Sequence, residues 1–157
     1  MLQNMSDGFP IQIPDRSLAE GLREPAAVSS VRRGAPDEWA REELLLRKLG
    51  PKGSGRVCQF RNYYESGWGD KGRVLSPRAL DAFFRFLEEA TFPAAKSTPS
   101  VFLTDRGGIE LCWEDRNGKS MQVEFTGTGA EFYKAATDEE GSVAFDGLGQ
   151  LSHRLSA

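Results

Sequence analysis

Three glutamates, Glu110, Glu124 and Glu131, are the side chains whose spacing could do chemistry. Carboxylates held side by side supply the oxygen ligands that suit Mg²⁺ or Ca²⁺, and a pair of them can share general acid and general base roles. Whether they meet depends on the elements that carry them. Residues 101–104, 109–114, 120–126 and 130–135 each alternate apolar with polar positions, and Arg106-Gly107, Asn117-Gly118 and Gly127-Thr128-Gly129 punctuate them as turns. That is the pattern of a four-stranded antiparallel β-meander. With Arg116-Asn117-Gly118 as a three-residue loop and Gly118 in the left-handed bulge position, Ile109, Leu111 and Trp113 face Phe125, Val123 and Met121 on one side of the sheet. The same register opposes Glu110 to Glu124, and a two-residue Gly127-Thr128 turn sets Glu124 opposite Glu131. Like charges directly opposite destabilise a sheet by about 0.2–1 kcal/mol. An arginine of the same chain, water, a basic partner or a divalent cation is therefore expected to offset them. An open sheet face lacks the enclosed pocket that shifts a carboxylate's pKa. The preferred expectation is accordingly no catalytic residue, no metal and no cofactor, with a divalent-metal-dependent enzyme using these carboxylates as a remaining alternative.

The polar outer face of the same meander also receives Phe102, Cys112 and Tyr133. An exposed patch that mixes aromatic and acidic groups marks a protein interface. Phe102, Glu110, Glu124, Glu131 and Tyr133, together with the loop residue Trp68, are the expected partner-binding residues, and their acidity calls for a partner with a basic surface.

Other chemistry is sparse. One histidine, His153, cannot build a multi-histidine zinc or iron site, and it falls near the chain end, where a catalytic base is poorly positioned. Cys58 and Cys112 lie in no CxxC pattern. No P-loop, GxGxxG or GxSxG occurs. Charge is uneven, with residues 51–80 basic and residues 81–157 acidic under a net charge of −3. Lys52, Arg56, Arg61, Lys71 and Arg73, interleaved with Tyr63 and Tyr64, form the second functional alternative, a nucleic-acid-binding accessory protein that stacks and pairs with a single strand. The overall charge is far from that of a dedicated nucleic-acid binder.

The positioning elements read as follows. Residues 37–49 suit a helix opened by Pro36, Asp37 and Glu38 and stopped by Gly50-Pro51, with Trp39, Leu45, Leu46 and Leu49 as its buried stripe. A flexible 52–56 link and a second helix over 57–65 follow. Ser76-Pro77 starts the clearest helix, 77–90, because serine is a favoured N-cap, proline a favoured first residue, and Leu80, Phe83, Phe84 and Leu87 repeat at helical spacing. The expected fold is α+β, with helices packed on one face of the meander over 100–135. Residues 36–136 form the domain, 1–35 an extended or partly disordered segment and 137–157 a flexible tail. No window reaches the roughly 18 apolar residues of a membrane span and no signal peptide is evident, so the expected location is the cytoplasm.

The order of several motifs, Gly67-Trp68-Gly69-Asp70-Lys71-Gly72, Ser76-Pro77, Phe86-Leu87, Pro99-Ser100, Gly107-Gly108-Ile109-Glu110-Leu111-Cys112-Trp113 and Val123-Glu124-Phe125, resembles a group of small, uncharacterised bacterial proteins. These carry a Gly-Trp-Asp-Gly-Tyr-Gly-like turn, a Ser-Pro-initiated helix and Gly-Gly-Ile-x-Leu-x-Trp and Val-Glu-Phe strands. The resemblance covers about residues 60–133, and the present turn departs from it at Gly69-Asp70 and Lys71. It implies a place in a bacterial two-gene system of toxin–antitoxin or defence type, in which this chain is a regulatory or inhibitory subunit that binds another protein.

Overall fold

The computed structural model describes residues 36–63, 72–93 and 98–156. All of these belong to one compact unit. Its elements run α1 (Pro36–Tyr63), α2 (Pro77–Glu89), β1 (Ser100–Leu103), β2 (Ile109–Glu114), β3 (Ser120–Phe125), β4 (Gly129–Lys134), β5 (Glu139–Ala144), a 3₁₀ turn (Phe145–Gly147) and α3 (Leu148–Ser156). The class is α+β, with an antiparallel sheet of strand order β1-β2-β3-β4-β5.

Register follows from turn chemistry. Gly118 adopts φ 73°, the left-handed position that only a residue without Cβ takes cheaply, and Asp115 N–H donates to Lys119 O at 2.8 Å to close the three-residue loop. Trp113 then stands opposite Met121, Leu111 opposite Val123, and Ile109 opposite Phe125. On the next hairpin Thr126 N–H donates to Gly129 O at 2.8 Å around Gly127-Thr128, which pairs Phe125 with Ala130 and Val123 with Phe132. Apart from Lys134 at the end of β4, the inner face is therefore apolar from β1 to β4, and it is buried.

α2 covers that face. Ser76 Oγ accepts from Ala79 N–H at 3.3 Å as the N-cap, and Pro77 takes the first helical position. Phe83 and Phe86 converge on Phe125, with ring centroids 5.5 and 5.1 Å apart, and Phe92 meets Trp113 edge-on at 5.2 Å. Burial of rings that each hide about 150–250 Å² makes this contact a large apolar term of the fold.

Several expectations need correction. The sheet has five strands rather than four, and 137–157 is not a flexible tail: it supplies β5 and α3, whose Leu148, Leu151 and Leu155 are buried. Residues 52–56 are helical rather than a link, because α1 breaks only at Gly50 (φ 69°) and resumes from Pro51 to Tyr63. Before Gly50 the buried stripe of α1 is Leu44, Leu45 and Leu49, while Trp39 and Leu46 are 59% and 52% exposed, since one helical face cannot serve both sets. The segment 1–35, Tyr64 and the loop that holds Trp68 and Lys71 lie outside the described residues. Among the described residues no helix is long and apolar enough to cross a membrane.

Candidate functional site: the outer sheet face

Because side chains alternate along each strand, the residues that do not join the core form rows across the opposite face. One row runs Phe102, Glu110, Glu124, Glu131, Ser142, and the next runs Ser100, Cys112, Gln122, Tyr133, Glu140. The sheet thus brings Phe102, Glu110, Glu124, Glu131 and Tyr133 together on one surface. Phe102 and Tyr133 are 40% and 37% exposed. On this surface lies a shallow concavity of about 600 Å³ whose lining includes Glu110, Glu124, Glu131, Tyr133 and Glu140.

The three glutamates differ in environment. Glu124, central in its row, keeps only 18% of its side chain exposed, whereas Glu131 keeps 55%. Arg106, projecting from the β1–β2 turn, donates to Glu124 Oε2 and, at 3.1 Å, to Glu131 Oε2. Its pKa is raised by the hydrogen bond to Glu124 first and that to Glu131 second. Glu124 Oε1 is buried and accepts no hydrogen bond. Glu110 accepts from Gln122 Nε2, diagonal to it on β3. The Tyr133 hydroxyl donates to Asp138 Oδ1 at 3.2 Å, and this bond holds its pKa above the ordinary value. Burial, followed by the charge of Glu110, pushes the Cys112 thiol up to about 11.

Two residues important to this face went unassigned in the sequence. Arg106 reads as a turn residue, yet it supplies the same-chain guanidinium that facing carboxylates require. Glu140 adds a fourth carboxylate through a strand whose composition hides it.

Among the described residues the expected basic side chains are spread over separate places. Lys52 and Arg56, one helical turn apart, line a separate cavity beside β1. Arg61 pairs with Glu38 at 3.4 Å, and Arg73 sits at the β1–β2 turn, where its N–H donates to Asp105 O at 2.9 Å. The exposed His153 side chain lies on α3, 3.7 Å from Glu89 Oε2. Among the described residues no group of three or more His, Cys, Asp or Glu side chains is arranged to hold a metal ion.

Fold and surface define an α+β domain whose sheet has one face covered by helices and one that is uncovered among the described residues. No protein family, curated protein or solved structure matches the chain.

Proposed function

We propose that this protein is a non-catalytic interaction module that binds a basic protein partner through the outer sheet face. Support comes from one observation above all: the exposed Tyr133 ring and four carboxylates, Glu110, Glu124, Glu131 and Glu140, line one concavity, and the exposed Phe102 ends the residue row that holds Glu110, Glu124 and Glu131. Aromatic anchors surrounded by charge are what a partner surface uses, since the rings supply apolar area at low entropic cost and the carboxylates select a basic counterpart. The biological role proposed for it is that of a regulatory or inhibitory subunit in a bacterial two-gene system of toxin–antitoxin or defence type. Pull-down from the native host with wild type and with E110K/E131K/E140K, which spares the half-buried Glu124, tests the reading. Loss of a specific protein from the charge-reversed bait, with the circular dichroism spectrum unchanged, is expected. Equal capture by both baits would reject this face.

A further inference from the structure

A second concavity, of about 530 Å³, opens where the helical segment after Gly50 meets the start of β1, and it is lined by Lys52, Gly53, Arg56, Thr98, Ser100 and Phe102 among others. Its chemistry is the reverse of the sheet face. Among the described residues no carboxylate lines it, and neither Lys52 nor Arg56 takes part in an ion pair. Thr98 and Ser100, both exposed residues, add hydroxyl-bearing side chains to the lining, and the Arg56 guanidinium lies over the Phe102 and Phe60 rings, 5.4 and 5.6 Å from their centres. The thirteen-residue helix that resumes at Pro51 begins here, so the positive end of its dipole adds to the two cations.

We infer that this cavity binds a small phosphate monoester carrying a planar ring, with the phosphate between Lys52, Arg56 and the hydroxyls of Thr98 and Ser100 and the ring against Phe102. Phosphate fits better than carboxylate on two grounds. A monoester carries about −1.5 to −2 charge near neutral pH, which two cations balance. Its three terminal oxygens also accept from more donors than the two of a carboxylate, and the cavity offers an ammonium, a guanidinium and two hydroxyls. The volume falls within the range typical of small-molecule sites, about 300–1,000 Å³. A ring stacked on Phe102 would lie beside Arg56, a stacking partner that lysine cannot replace.

Amide-resolved NMR titration of the full chain with inorganic phosphate, phenyl phosphate and adenosine 5′-monophosphate tests this inference. Saturable shifts centred on Lys52, Gly53, Arg56 and Ser100 are expected, with the ring-bearing esters binding more tightly than inorganic phosphate. K52A should weaken all three ligands by about tenfold, as expected for loss of a charged hydrogen-bond donor. F102A should erase the advantage of the esters and leave inorganic phosphate unchanged. The side chain of Lys52 is exposed and outside the core, so K52A should fold normally. Absence of saturable shifts, equal affinity in K52A, or tighter binding of a single-stranded oligonucleotide than of the monophosphate would overturn the inference. E131K should leave every one of these titrations unchanged, so failure here and failure of the sheet-face proposal are separate results.

Discussion

Glu124 and Glu131 stand directly opposite each other on β3 and β4, and a single guanidinium, that of Arg106, donates to both. The like-charge pair is thus offset within the chain. R106A leaves the carboxylates facing each other uncompensated and is expected to destabilise the domain by roughly 1 kcal/mol, the scale of one cross-strand repulsion plus an exposed ion pair. R106A/E131Q should recover most of that loss, because it removes the repulsion along with the attraction. Urea unfolding of the four proteins in the cycle measures the coupling. High salt should shrink the R106A effect, since both groups are partly exposed. An R106A protein as stable as wild type would mean that water, not Arg106, relieves the pair.

Leu148, Leu151 and Leu155 bury one face of α3, which packs on α2. Truncating Leu151 leaves a cavity where the helix meets the core, so L151A is expected to cost about 2–5 kcal/mol. H153A, two residues away on the wet side of the same helix, should stay within about 0.5 kcal/mol of wild type. Denaturant unfolding of both variants decides whether the C-terminal residues are a structural part of the domain. Equal stabilities would mean that α3 contributes nothing.

How much of this was legible follows from where each residue's partners lie. The β2–β3–β4 ladder was readable because local turn residues, Gly118 above all, fix register, and register alone decides which face each side chain joins. The facing glutamates came out for the same reason. β5 was hidden because an edge strand reading Glu139-Glu140-Gly141-Ser142-Val143-Ala144 offers one large apolar residue and no clear alternation. α3 did leave a signal: Leu148, Leu151, Ser152 and Leu155 fall at i, i+3, i+4 and i+7, and all four are buried. Proximity to the chain end obscured it. Trp39 is the opposite case, an aromatic at a plausible helical phase that the packing of Leu44, Leu45 and Leu49 turns outward. Arg106 could be demanded by electrostatics but not located, because a turn residue's reach across two strands depends on the sheet's geometry.

Ser76 closes the N-terminus of α2, the helix that carries Phe83 and Phe86 onto Phe125. S76A removes the acceptor for Ala79 N–H and is expected to cost about 1 kcal/mol, while S76D should restore most of it by capping the same N–H and complementing the dipole. Thermal unfolding monitored at 222 nm checks both variants. S76A with an unchanged midpoint would show that the helix is held by its packing alone.

Cys112 sits on the outer face in the row of Gln122 and Tyr133, and burial, reinforced by the charge of Glu110, pushes its pKa up to about 11 from an ordinary 9.0. Between those values the folded protein keeps a proton that the unfolded chain has lost. By linkage this contribution to stability is fully present below pH 9.0 and is lost as pH rises through about 11. In a C58S background, thiolate absorbance near 240 nm should titrate with a midpoint of about 11 in the folded state and 9.0 in urea. E110Q should lower the folded midpoint only in part, because the glutamate's charge is the smaller of the two causes. A folded midpoint close to that in urea would mean that water reaches Cys112 freely, and the row in which Ser100 and Gln122 flank it would then be looser than the register describes.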